Sequence, residues 1–138
     1  MTNHVKTCSV DDTTYTIHPH HRDKNPSKSQ WSISPDNEIA TFTNAKLSCW
    51  LINDSGWGVF PVSGTPTYLG VSKDQTTQLI IAKFVFNESN NNWHGYPANH
   101  IENVQDIPDE IVLKQWIEKS ILSRAKISKI GKGKPCKL

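Results

Sequence analysis

Two apolar periods divide the chain. Up to about residue 86, short runs of branched and aromatic side chains alternate with clusters of Gly, Pro, Asn, Asp and Ser, which predicts strands; beyond residue 106 the apolar positions recur at helical spacing. Tyr15 and Ile17 alternating with Thr predict a short strand within residues 10–18, and His18-Pro19-His20-His21 opens a loop through Pro26. Trp31 to Ile33 is extended and leads into a turn at Ser34-Pro35-Asp36-Asn37. Residues 38–43 alternate around Ile39 and Phe42 as a further strand. Residues 47–52 and 57–62 read as the arms of a hairpin across Asn53-Asp54-Ser55-Gly56, and residues 67–72 as another short strand. Residues 77–86 form the strongest strand, and their continuous apolar centre places it mid-sheet, covered on both faces.

Asp106-Ile107-Pro108-Asp109-Glu110 is a helix start, with Pro in the first turn and acids at the positive end of the dipole. Leu113, Trp116, Ile117 and Ile121 then share one face. Ser123 caps a shorter helix that ends at Gly131. The expected fold is α+β, one domain spanning residues 1–138. An antiparallel sheet or partly open β-barrel fills residues 10–86, a long loop residues 87–106, one firm and one short helix residues 107–130, and a basic tail residues 131–138.

Charge sharpens this picture. Of the 15 Lys and Arg, six lie after Ser123 with no acid among them, while all 13 Asp and Glu precede it, so a mildly acidic body carries a basic end. No apolar run is long enough to span a bilayer, and the first residues lack the apolar stretch of a secretion signal. Cys8, Cys49 and Cys136 are too few and too scattered for a disulfide framework, so reduced thiols and a cytoplasmic location are expected. Cys49, inside the apolar run 47–52, reads as core.

Candidate chemistry concentrates in Trp93-His94-Gly95-Tyr96-Pro97, inside the expected long loop. His94 is the candidate proton carrier, His100 a second, and Tyr96 a hydrogen-bond donor. Lys83 or Arg22 would supply countercharge to an anion. The structural alternative is that Trp93 and Tyr96 plug the sheet, with Gly95 providing an unusual backbone angle. Arg124, Lys126, Lys129, Lys132 and Lys134 are suited to track a phosphate backbone, with Trp93 as stacking platform. His18 and His20 would project to one side of an extended chain, with His94 or His100 as a third ligand, but neither a metal nor another cofactor is expected. Phosphate-loop, dinucleotide, zinc-protease and serine-hydrolase motifs are absent.

These residues favour a small binding module that engages a nucleic acid such as RNA, or another polyanion, through the loop 93–100 and the basic end. The alternatives are a metal-independent ribonuclease using His94 and His100, and a protein-only adaptor or immunity-type inhibitor.

Overall fold

The computed structural model describes residues 13–138 and, for backbone course alone, residues 6–10. The Cys8 side chain lies outside the described residues. The elements run β1 (Lys6–Val10), β2 (Thr13–Ile17), β3 (Gln30–Trp31), α1 (Pro35–Leu47), β4 (Leu51–Ile52), β5 (Ser55–Gly58), β6 (Gly70–Val71), β7 (Gln78–Leu79), β8 (Ile81–Asn87), β9 (Asn92–Ala98), α2 (Glu110–Glu118) and α3 (Arg124–Gly131). Six strands form one sheet in the order β1-β2-β9-β8-β5-β4, and β3-β6-β7 form a second. The expected α+β class is what the chain adopts, with two qualifications. The large sheet is open, not a barrel, and β2 runs parallel to β9, so it is mixed.

The strongest predicted strand is present as β7 and β8, which carry the chain from the small sheet into the middle of the large one. Ile81 to Phe84 are buried, as a central strand requires. The hairpin is also present, with arms shortened to β4 and β5 and Asn53 turning the corner at φ 56°.

Three local expectations are corrected. Residues 35–47 are a helix, not a turn and a strand. The Ser34 side chain accepts from the Asn37 amide at 3.1 Å, a cap that contributes about 1 kcal/mol, and Pro35 fills the first helical position. Glu38, Thr41, Phe42 and Ala45 face inward, an i, i+3, i+4, i+7 set in which two of the four members are polar. Cys49, in the left-handed turn after α1 (φ 65°), is exposed, not core. Residues 92–98 are strand β9, paired with β8 from Ile81–Ala98 to Asn87–Asn92, so the long loop 87–106 does not exist as such. A 3-10 turn at Glu88–Asn90 and left-handed Asn91 (φ 52°) close the hairpin.

Alternation along β9 then assigns its side chains to two layers. Trp93 faces α1 and packs against Phe42 and Phe86 at ring separations of 5.8 and 5.4 Å. Tyr15 and Phe84 belong to the same layer, with Tyr15 stacked on Phe42 at 4.6 Å. Glu38 is fully buried there. Its carboxylate accepts from the Tyr15 hydroxyl at 2.5 Å and from Nη2 of Arg22 at 2.7 Å. Burial raises the Glu38 carboxyl, and the bonds from Tyr15 and Arg22 oppose that rise. His94 and Tyr96 emerge on the opposite face, in register with Val85 and Lys83 of β8.

Candidate functional site

On that second face, a polar cleft of about 600 Å³ is bounded by His94, Tyr96, His21, Lys28, Lys73 and Asn99, among others. Its floor is the β9 strand. Its near wall is formed by His21 and Ser27 to Ser29, in a segment that begins with a single 3-10 turn at Pro19–His21. At three residues per turn, positions i and i+3 eclipse, so His18 and His21 share a side and His20 points away. The expectation that His18 and His20 project together is therefore corrected. His20 is exposed, with Nδ1 3.6 Å from Asp23 Oδ2. Ser29 pins the segment to β9 by donating from Oγ to the Pro97 carbonyl at 2.8 Å.

His21 stacks on Tyr96 with ring centroids 5.5 Å apart. Its Nδ1 lies 2.9 Å from the Ser29 carbonyl, which only accepts, so Nδ1 carries the proton and Nε2 the lone pair. Burial, the positive charge of Lys28 and the neighbouring imidazoles lower its pKa to about 4, despite the opposing pull of the Ser29 carbonyl. His94 is also lowered, first by burial and then by His18 and Lys28. Near pH 7 these imidazoles are neutral, and fixed cationic charge on the cleft comes from Lys28 and Lys73, both exposed. Asp74 orients the turn that carries Lys73. Its Oδ1 accepts from Ser72 Oγ and Thr76 Oγ1, both at 2.7 Å, and these bonds hold its carboxyl down to about 2.

Behind the cleft, the Tyr96 hydroxyl donates to Asp106 Oδ1 at 2.6 Å, and the Asn99 amide donates to Oδ2 at 2.9 Å. Burial and the adjacent Asp106 carboxylate raise the Tyr96 phenol well above its ordinary value, so it remains a donor. Lys83 is buried, donates to the Gln105 carbonyl and lies 4.6 Å from the centre of the Trp57 ring. Burial lowers its ammonium and Asp106 partly offsets this. Lys83 is therefore a structural cation beneath the site, not a surface countercharge. Arg22 is likewise occupied, by Glu38 and by the Ile33 carbonyl at 2.8 Å.

Comparison with protein-family models, characterised proteins and solved structures finds no match.

His100 does not join His94. It is buried in the turn after β9, where Nε2 donates to the Lys134 carbonyl at 2.7 Å, and it borders a different cavity, of about 340 Å³, with Ile101, Tyr68 and Cys136. That bond helps to order the basic end, as do the left-handed Gly133 (φ 69°) and a bond from the Leu138 amide to the Tyr68 hydroxyl at 3.1 Å. Arg124, Lys129, Lys132 and Lys134 are exposed and Lys126 half-buried. Trp93, expected as a stacking platform, is buried under α1 and presents no free ring face. His94 and Tyr96 are thus the two expected residues that share the cleft. His21, Lys28, Lys73 and Asp106 complete the cleft, although no motif in the sequence marks them as site residues. For His21, the spacing from His18 in a Pro-initiated turn was the available signal.

Proposed function

We propose that the chain is a small binding module for a polyanion, with the cleft as its recognition pocket and the basic C-terminal end as an adjoining charged surface. The observation that carries this is that lysines border the cavities on both sides of the turn 99–103, Lys28 and Lys73 on one and Lys137 on the other. Asn99, Glu102 and Asn103 border the cleft with Lys28 and Lys73, whereas His100 and Ile101 border the second cavity with Pro135 to Lys137. Within the cleft, Asp106 is already engaged by Tyr96 and Asn99, leaving Glu102 as the exposed acid. A phosphate-rich chain, RNA among the possibilities, suits such a surface, since each neutralised phosphate releases counterions. The free Cys49 and Cys136 thiols suit a cytoplasmic setting, and no helix among the described residues is long and apolar enough to cross a membrane.

Binding of labelled single-stranded RNA and of inorganic polyphosphate, each measured against salt, tests the proposal. The expected result is a log-linear loss of affinity with salt. The RNA slope should fall by about 0.7 for each phosphate contact removed in Lys28→Gln/Lys73→Gln and in Lys132→Gln/Lys134→Gln. No binding to either probe at low ionic strength rejects it. Metal-free cutting of the RNA, lost in a folded His94→Ala variant, would replace it with the ribonuclease alternative.

A protein partner is the second reading, because Val104, next to the cleft-lining Asn103, is 83% exposed, and Ile111 on α2 is 56% exposed. One stoichiometric co-purifying protein, released by Val104→Asp, would favour it.

A further inference from the structure

His18 and His94 come from separate segments, one at the entrance to the Pro19–His21 turn and one in the middle of β9. Their ring centroids are 4.8 Å apart and their planes are inclined at 63°. Two imidazoles bound to one ion through nitrogens about 2.0–2.1 Å from it, at angles between 90° and tetrahedral, place their ring centres roughly 4.5–5.2 Å apart. The observed separation falls within that interval, and the inclination lets nitrogen edges converge without ring overlap. We propose that His18 and His94 are the protein ligands of an open site for a divalent transition ion of borderline softness, Zn²⁺ or Co²⁺, at the edge of the cleft.

Two further features support this assignment. Neither imidazole has a hydrogen-bond partner among the described residues, so no protein group competes for their lone pairs. Ser29 anchors the turn on β9 through its bond to Pro97, and this fixes the spacing between the two ligand-bearing segments. Among the described residues no three His, Cys, Asp or Glu side chains are gathered at one point. The site is therefore a two-imidazole one whose remaining coordination positions belong to solvent or to an oxygen of a bound anion.

The charged surroundings set its strength. Lys28 lies close enough to His94 and His21 to disfavour added positive charge at either. His20 faces away, paired with Asp23, and is an independent surface group. Removing the Lys28 charge should tighten the ion, whereas removing His20 should leave it unchanged.

The test uses the full chain stripped of metal by chelation, with Zn²⁺ followed by equilibrium dialysis and Co²⁺ by visible absorption, and no polyanion present. One ion should bind per chain. His18→Gln and His94→Gln should each weaken binding by about tenfold or more, Lys28→Gln should strengthen it, and His20→Ala and His100→Ala should leave it within about twofold. Circular dichroism of the Gln variants separates loss of a ligand from loss of fold, and for any variant that unfolds, His18→Asn or His94→Asn replaces it. Absence of binding at millimolar metal, undiminished binding in folded variants at positions 18 and 94, or loss in His20→Ala would each overturn the assignment. Because the readout is metal alone, its failure leaves the polyanion proposal standing, and the reverse also holds.

Discussion

The Tyr96 hydroxyl and the Asp106 carboxylate, 2.6 Å apart, join the floor of the cleft to the segment that closes it. Asp106 is 1% exposed and uses both oxygens as acceptors, one for Tyr96 and one for the Asn99 amide. Tyr96→Phe deletes one donor and leaves Oδ1 short of a partner in a buried setting, which should cost about 1–3 kcal/mol in urea unfolding. Asp106→Asn should cost at least as much, because an amide can accept through one atom only and its NH₂ would face the donor it replaces an acceptor for. A cost below about 0.5 kcal/mol for both would show that the pair does not hold the segment.

Glu38 and Arg22 form the second buried polar link, tying α1 to the turn that bears the histidines. Glu38 has no exposed side-chain surface, and Arg22 retains 20%. Removing one partner of a buried pair strands the other, so Glu38→Ala should destabilise by about 3 kcal/mol or more. Glu38→Gln keeps an acceptor for Tyr15 and should cost about 1–2 kcal/mol. Chemical denaturation gives both values, and equal costs for Ala and Gln would mean that the acceptor retained by Gln contributes nothing, overturning the role given to the Tyr15 bond.

How far the sequence discloses this molecule depends on which residues face inward. β8, α2 and α3 are legible because their buried positions are apolar, as at Ile81, Phe84, Trp116 and Ile130. α1 is not, since Glu38 and Thr41 occupy inward positions and satisfy themselves on Arg22, Tyr15 and the Asn37 carbonyl, so its helical period is written partly in polar side chains. β9 escapes for another reason. Gly95 and Pro97 are poor strand formers that tertiary packing overrides, and Asn-rich residues 87–91 form a tight turn where composition alone suggests a long loop. For the site, His94 and Tyr96 are legible as chemistry-bearing residue types in one short stretch, but their shared strand face is not, because β9 itself escapes. Their partners on the turn 19–21 depend on a fold-back that only the pairing of β2 with β9 creates.

Gly95 provides a direct test of how closely β9 is held. Its φ is not left-handed, so the expected unusual backbone angle is not the reason for glycine. A Cβ at this position would lie 2.6 Å from both Phe84 Cδ1 and the Tyr15 hydroxyl oxygen. Two buried rings on separate strands must move to admit a methyl group, and overpacking of this kind costs about 1–3 kcal/mol. Gly95→Ala should therefore lower the unfolding midpoint and disturb His94 and Tyr96, which flank it. An unchanged midpoint would contradict the packing described for the α1 face.

The histidine wall of the cleft should make the metal-free protein sensitive to mild acid. His21 has its pKa lowered to about 4, against about 6.5 for an unconstrained histidine. Above pH 6.5 the folded and unfolded chains are both neutral at this position, and the contribution of His21 to stability is fully present. Between pH 6.5 and 4 the unfolded chain takes up a proton that the folded chain refuses, so stability falls as pH falls, by on the order of 2 kcal/mol over the window. His94 and His18, also lowered, act in the same direction. His21→Phe keeps an aromatic ring against Tyr96 but cannot titrate, and although it forfeits the Ser29 bond, its stability should decline less steeply between pH 6.5 and 4 than that of the parent. Urea midpoints at half-unit pH intervals decide the matter, and identical slopes for the two proteins would place the acid sensitivity elsewhere.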